Sequence, residues 1–262
     1  MRFLKYVVVT FCFLATLGCY EVNEEIAINE NGSGVYNTKM DMSQLIELMQ
    51  TFAGEEKMAE EGLDRVIDTV VNFSTLIDSA KEMTAEQKEL MKDGKMRMQL
   101  NVKEKVFKMD LNIPYKNFAS LQKLLSSGGA TGNVMSEMMK GMFGGKKDNQ
   151  TDSTAELHVL GGGVDDLTGF YDVVANKNVI SRKVNAEKFK ALTEKPEMAQ
   201  MKQLSTSGME ILYTTVIRLP RPVKTSDNPI FKLSDDKKTV TMKYNLLEML
   251  ETPDKFSYTI EY

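Results

Sequence analysis

The chain has 262 residues, of which 42% are hydrophobic and 27% are charged, and its formal net charge is −4. These proportions are typical of a folded globular protein and exclude a disordered chain. Lysine and glutamate are interspersed without a long basic run, so nucleic acid is excluded as an expected partner. The 19 methionines specify no ligand by themselves, because methionine commonly fills irregular gaps in a core.

The first 18 residues have the organisation of an export signal. Arg2 and Lys5 provide a positive n-region, and the uncharged run at 6–17 is too short to span about 30 Å of hydrocarbon. A glycine precedes Cys19, and the chain becomes polar shortly afterwards. These residues resemble the lipobox of bacterial lipoproteins, a family in which the signal is cleaved before the cysteine and the cysteine thiol is acylated.

The resemblance implies a signal peptide at 1–18 and a mature protein that begins with lipidated Cys19. The alternative is an ordinary signal peptide that contains a cysteine by chance. The cysteine count favours lipidation, because Cys12 lies in the run that would be removed and one remaining thiol forms no internal disulfide. We expect Tyr20 to Asn23 to form a short tether. Without an aspartate after the cysteine, the resemblance implies the outer membrane of a diderm cell envelope.

Two hairpins are predicted in the N-terminal half. Glu24, Ile26 and Ile28 alternate on one face of the first strand, and Asn31-Gly32 is a hairpin-turn signal. The second hairpin has alternating apolar residues on both sides of a lysine-rich turn at 103–105. These apolar residues are Met96, Met98, Leu100, Phe107, Met109, Leu111 and Ile113.

Three helices are predicted between these hairpins. The first begins at Ser43 and has apolar residues at i, i+3, i+4 and i+7, the spacing of a buried helical face. The second covers 63–79, and the third begins with a capping box formed by Thr84 and Gln87. The apolar face of the first helix consists of Leu45, Leu48, Met49 and Phe52.

The composition changes at 126–154, which is rich in glycine, serine, asparagine and charge. Such a segment buries too little surface to offset its ordering entropy, so we predict a flexible linker between halves at 19–125 and 155–262. Four methionines of this segment have helical spacing, which favours an apolar helix face that packs on the domain. The alternatives are contact of this face with a membrane or partner, and binding of Cu(I) by the thioethers. These residues are Met135, Met138, Met139 and Met142.

The C-terminal half repeats the order strand, turn, strand, helix. Residues 170–192 can be aligned with 99–121 so that Phe118 and Phe189 match, which suggests an internal duplication. The order of elements predicts an α+β fold, in which an antiparallel sheet built from hairpins has helices packed on one face. The final strand is predicted to have one apolar face, formed by Phe256, Tyr258, Ile260 and Tyr262.

The residue types for catalysis or metal binding do not occur in a recognisable pattern. His158 is the single histidine, so neither a catalytic triad nor a zinc site is predicted. Gly161 to Asp166 lacks the ending of a phosphate-binding loop and is interpreted as a turn or bulge. Asp165-Asp166 and Asp235-Asp236 lack the alternating oxygen ligands of a calcium loop and are interpreted as turn residues. We therefore predict no enzyme, no cofactor and no metal.

Two short motifs carry a second resemblance. Gly32-Ser33-Gly34 in a hairpin and Thr239-Val240-Thr241 in a strand resemble the corresponding segments of LppM-type bacterial lipoproteins. That family implies a membrane-anchored envelope protein with a lipid- or partner-binding surface and no catalysis. We predict a non-enzymatic binding or structural role with an unidentified envelope partner. The alternative is a carrier that holds an apolar or lipid ligand between the sheet and its helices, with methionines lining the cavity.

Overall fold

The fold combines two β-sheets with short helices. The computed structural model describes residues 19–44, 46–47, 50–51, 54, 66–75, 77, 83–126, 169–195, 198–199, 202 and 210–262. The strands are β1 Cys19–Ile28, β2 Gly34–Asp41, β3 Val66–Asn72, β4 Lys95–Asn101, β5 Val106–Tyr115, β6 Tyr171–Ala175, β7 Val179–Val184, β8 Glu210–Arg218, β9 Thr225–Ser226, β10 Lys232–Leu233, β11 Thr239–Asn245 and β12 Tyr258–Glu261. The α-helices with defined bounds are α1 Ala85–Met91, α2 Phe118–Ser126, α3 Ala186–Thr193 and α4 Leu246–Glu251, and 3₁₀ turns cover Phe73–Thr75 and Pro253–Phe256.

The described strands form a large sheet of eight strands, in the order β10-β11-β8-β1-β2-β5-β4-β3, and a small sheet in the order β6-β7-β12-β9. Neighbouring strands are antiparallel except for the central pair β1 and β8, which are parallel. The large sheet therefore combines strands from both halves of the chain, whereas the small sheet comes from the C-terminal half alone. The α+β class with a predominantly antiparallel sheet is confirmed.

Strand β1 lies at the centre of the large sheet and has a strict alternation of side chains. Its buried face includes Tyr20, Val22 and Glu24, while Glu21 and Asn23 are exposed on the other face. The predicted tether at Tyr20 to Asn23 is therefore wrong, because these residues pair with β8 on one side and, from Glu21 onward, with β2 on the other. Their polar residues belong to the exposed face of a strand.

Both predicted hairpins are confirmed. The β1–β2 turn closes with the Asn29 amide donating to the Ser33 carbonyl at 2.8 Å, and Gly32 has φ of +82°. The β4–β5 hairpin turns at 102–105, where Lys105 has a positive φ. The seven alternating residues predicted to face the core are all buried: Met96, Met98, Leu100, Phe107, Met109, Leu111 and Ile113. The four residues of the predicted final face, Phe256, Tyr258, Ile260 and Tyr262, are all buried, but the strand itself is only Tyr258–Glu261 and Phe256 lies in the preceding 3₁₀ turn.

The helix predictions are confirmed in part. The capping box of Thr84 and Gln87 is present at α1, with both reciprocal hydrogen bonds. The helix predicted at 63–79 is wrong, because residues 66–72 form strand β3, whose β-branched sequence VIDTVVN pairs antiparallel with β4. The described residues between 43 and 54 are helical. The predicted apolar face of that helix, formed by Leu45, Leu48, Met49 and Phe52, lies outside the described residues.

Methionines fill part of the core on the inward face of the large sheet. Met40, Met109 and Met98 are direct cross-strand neighbours on β2, β5 and β4, and each is at least 97% buried. Tyr20 donates a hydrogen bond from its hydroxyl to the Met40 sulfur at 3.7 Å. This row of methionines shows the gap-filling use that the composition predicts.

Candidate functional site

The most unusual chemical feature of the molecule is a pair of opposite charges enclosed between the two sheets. Glu24 lies on the inward face of β1, and Arg182 lies on β7 of the small sheet; both are about 95% buried. Arg182 Nη1 donates to Glu24 Oε2 at 2.8 Å, and Nη2 donates to Oε1 at 2.7 Å. The two parallel bonds match the planar guanidinium to the planar carboxylate, the strongest geometry for such a pair.

Neighbouring hydroxyl groups complete this buried centre. Thr215 on β8 donates its hydroxyl to Glu24 Oε2 at 3.1 Å, and Tyr36 adds a further hydrogen bond to the carboxylate. Tyr244 and Tyr258 lie close enough to interact electrostatically with both charges. Burial raises the pKa of Tyr258 to about 12, so this phenol stays protonated at neutral pH.

The protonation states of the pair follow from its surroundings. Burial acts to raise the pKa of Glu24, but the Arg182 charge and the hydrogen bonds from Arg182, Thr215 and Tyr36 outweigh it, so the pKa lies below its ordinary value. Burial acts to lower the pKa of Arg182, and the Glu24 charge reverses that effect and raises the pKa. Both side chains are therefore charged at neutral pH, and neither is poised to transfer a proton.

The pair joins the two sheets at a defined position. Arg182 Nε and the Tyr258 hydroxyl have no hydrogen-bond partner among the described residues, so the centre is not fully satisfied there. A buried ion pair gives little net stability because its desolvation offsets its attraction, yet it disfavours any arrangement that leaves either charge alone. The pair therefore links Glu24 of the large sheet to Arg182 of the small sheet, and separating the two sheets here would leave both charges without their partner.

The lowered pKa of Glu24 predicts how stability changes with pH. The pKa of Glu24 is lower in the folded protein than in the unfolded chain, so its ionised form stabilises the fold. This stabilisation is complete above the pKa of the unfolded chain and is lost as the pH falls through the pKa of the folded protein, which lies below 4.5. We expect the free energy of unfolding to fall more steeply below this pH in the wild type than in a Glu24→Leu, Arg182→Met double variant. Urea denaturation at a series of pH values measures both slopes, and equal slopes would contradict the assignment.

A second feature is a surface groove of about 220 Å³ beside helices α1 and α2. Its wall on the α1 side carries carboxylates and its wall on the α2 side carries ammonium groups, with apolar residues at the end of β5 between them. The lining residues are Glu86, Glu89, Leu90, Asp93, Pro114, Tyr115, Lys116, Ser120 and Lys123.

Ion pairs cross this groove. Lys116 Nζ lies 3.4 Å from Glu89 Oε1, and Lys123 pairs with Glu86. All four side chains are more than half exposed, so each pair contributes little to stability and can separate easily. The Ser120 hydroxyl donates to Asn117 Oδ1 at 3.1 Å, so this hydroxyl is already hydrogen-bonded at the start of α2. The groove has the chemistry of a polar contact surface.

The residues predicted as sites have different outcomes. Cys19 is the first residue of β1. Asp235-Asp236 lies in a turn, as predicted, where Asp236 Oδ1 accepts the Lys238 amide at 3.0 Å. Among the described residues, no group of three or more histidine, cysteine, aspartate or glutamate side chains is placed to hold a metal ion. Outside the described residues lie Met135, Met138, Met139, Met142, His158 and Gly161 to Asp166.

The buried ion pair is the feature that sequence reasoning missed, although a signal was present. Glu24 interrupts the apolar face formed with Ile26 and Ile28, and Arg182 similarly shares a face with Ile180. Two opposite charges on the inward faces of two strands indicate a buried pair, because an isolated buried charge is strongly unfavourable.

The comparisons with known proteins add no relative. The sequence matches no protein-family model, no curated protein and no solved structure. Within the part of the chain that the structure describes, every helix is too short or too polar to cross a membrane.

Proposed function

We propose that this chain is a lipid-anchored protein of the bacterial cell envelope, in the outer membrane of a diderm cell, and that it acts by binding or structural interaction. The observation that carries the proposal is the position of Cys19. The charged start, the uncharged run at 6–17 and the glycine at 18 form a lipobox-like segment that ends at this residue.

Lipidation is tested by metabolic labelling with a palmitate analogue. The wild type should take up label and fractionate with membranes, whereas Cys19→Ser should lose both the label and the processing that precedes residue 19. Cys12→Ser is the matched control, because Cys12 lies in the segment expected to be removed, and this variant should be labelled like the wild type. Equal labelling of Cys19→Ser and wild type would contradict the anchor.

The chemistry of the buried centre supports a non-enzymatic role. Glu24 and Arg182 are paired with each other and enclosed between the sheets, so a substrate has no direct access to either charge. The groove offers exposed polar contacts to an envelope partner, with Glu86 and Lys123 as its exchangeable charges. Affinity purification of the anchored protein from its own envelope would identify that partner.

The second candidate is a carrier of an apolar or lipid ligand. For this candidate, the row of Met40, Met109 and Met98 on the inward face of the large sheet would have to repack around the ligand, which flexible thioethers allow. Mass spectrometry of the purified soluble domain distinguishes the two candidates. A lipid that co-purifies in stoichiometric amount supports the carrier, and its consistent absence supports the interaction role.

We also propose that the helices pack on one face of the sheet and that the fold contains an internal duplication. We further propose a relationship with LppM-type lipoproteins. The duplication is supported by the order hairpin then helix at β4–β5–α2 and β6–β7–α3, each helix beginning after an asparagine, Asn117 or Asn185, whose side chain accepts backbone amides. Alignment of these asparagines pairs Leu121 with Phe189, which replaces the match of Phe118 with Phe189.

A further inference from the structure

The attachment point of the proposed lipid is held firmly in the sheet. Cys19 pairs with Glu210 of β8, and the next residue, Tyr20, is 98% buried and hydrogen-bonded to Met40. A flexible tether would add at most about 3.5 Å of reach per residue. Here no tether residue separates Cys19 from strand β1. An acyl chain on Cys19 would therefore hold the end of β1 close to the lipid.

The end of the large sheet that contains Cys19 can be defined by its residues, and we call it the near rim. Ser43 follows β2 there, and its hydroxyl accepts the Phe107 amide of β5 at 3.1 Å. The β4–β5 turn at 102–105 projects just beyond this line of strand ends. The described residues at the near rim include Cys19, the start of the helix at Ser43 and the turn at 102–105, together with the start of β8 at Glu210 and the end of β11 at Asn245.

The opposite end of the sheet is the far rim. Strand β1 has ten residues, so its end lies about 30 Å from Cys19 at about 3.3 Å per residue. The β1–β2 turn at 29–33 lies there, together with Tyr115 at the end of β5, which pairs with Gly34. The groove between α1 and α2 includes Tyr115 and so opens near the far rim.

We propose that the near rim lies against the headgroups of a phospholipid bilayer and that the far rim, with the groove, points away from it. This inference rests on the proposed lipidation of Cys19. Among the charges of the near rim, Lys105 Nζ lies 2.8 Å from Glu47 Oε1 and Lys108 Nζ lies 3.0 Å from Asp41 Oδ2, and the turn also carries the opposite charges of Lys103 and Glu104. A rim whose positive and negative charges balance suits a zwitterionic surface such as phosphatidylcholine and needs no anionic lipid.

Tryptophan fluorescence can test this orientation, because the natural chain contains no tryptophan. Glu104→Trp places a probe in the near-rim turn, and Glu30→Trp places the same probe in the far-rim turn; both glutamates are exposed. The full-length lipidated variants are reconstituted into dioleoylphosphatidylcholine vesicles that contain a phosphatidylcholine brominated near the top of its acyl chains. Bromine quenches only a nearby tryptophan.

We expect Glu104→Trp to lose about half of its fluorescence, because interfacial contact brings a side chain within about 10 Å of the acyl boundary. Glu30→Trp should keep its fluorescence. Addition of Cys19→Ser to Glu104→Trp should abolish the quenching, which shows that the tryptophan itself does not drive membrane contact.

Two results would overturn the orientation: equal quenching of both probes, or no quenching of Glu104→Trp in a protein whose mass confirms acylated Cys19. An unmodified Cys19 would instead contradict the proposed function, so mass spectrometry of the N-terminal peptide separates the two failures. Replacement of part of the phosphatidylcholine by phosphatidylglycerol should leave the quenching unchanged. A requirement for the anionic lipid would also contradict the proposal.

Discussion

Replacement of Arg182 by methionine should lower the free energy of unfolding by about 3–5 kcal/mol, because Glu24 would then be a buried charge without its partner. Glu24 is 95% buried, and its only other described hydrogen bonds come from the hydroxyls of Thr215 and Tyr36. Two neutral donors do not replace a bidentate guanidinium. Denaturation in urea at neutral pH, followed by circular dichroism, measures the loss.

A double variant separates the cost of an unpaired charge from the net value of the pair. Arg182→Met with Glu24→Leu removes both charges and fills similar volume. The free energy of unfolding of this double variant should therefore equal or exceed that of the wild type. The exposed pair of Lys188 and Asp172 is the matched control, because its removal by Lys188→Met should change stability far less than Arg182→Met does. A double variant as unstable as Arg182→Met would show that the pair itself contributes large net stability.

The sequence predicted the local structure better than the arrangement of strands. The alternation at 96–113 and 256–262 predicted the buried faces correctly, because side chains on opposite faces of a strand have a period of two. The parallel pairing of β1 with β8 joins residues about 190 positions apart, as at Glu24 and Thr215, and no local pattern specifies such a partner. A separation of 158 positions likewise hides the contact of Glu24 with Arg182.

Two predictions are wrong because each segment is a strand: the tether at Tyr20 to Asn23, inferred from the polarity that follows Cys19, and the helix at 63–79. Tyr20 and Val22 face inward while Glu21 and Asn23 face outward, so the alternation of the strand extends back to Tyr20. In residues 66–72 the exposed face contains the apolar residues Val66 and Val70. Apolar residues therefore occur on both faces of this edge strand, which obscures the alternation in its sequence.

Gly34 lies where the structure leaves no space for a larger residue, so we expect a substitution there to lower the free energy of unfolding. It begins β2, and Tyr115 donates its hydroxyl over it to the Ala27 carbonyl at 2.6 Å. A Cβ at this position would lie 2.6 Å from Tyr115 Cζ and closer still to the Ala27 carbonyl oxygen. Since Ala27 is part of β1 and Tyr115 is buried, neither group can move without displacing a strand.

Gly34→Ala should therefore destabilise the protein by about 3 kcal/mol or more, the upper range for overpacking, because backbone rather than a flexible side chain must shift. Gly54→Ala is the matched control: Gly54 has φ of +78°, and no heavy atom of the described residues lies within 4 Å of an added Cβ, so backbone strain of about 1–2 kcal/mol is what opposes alanine there. Urea denaturation of both variants compares steric overlap with strain. If Gly54→Ala were the more destabilised variant, the close approach of Tyr115 and Ala27 to Gly34 would not be the reason for glycine there.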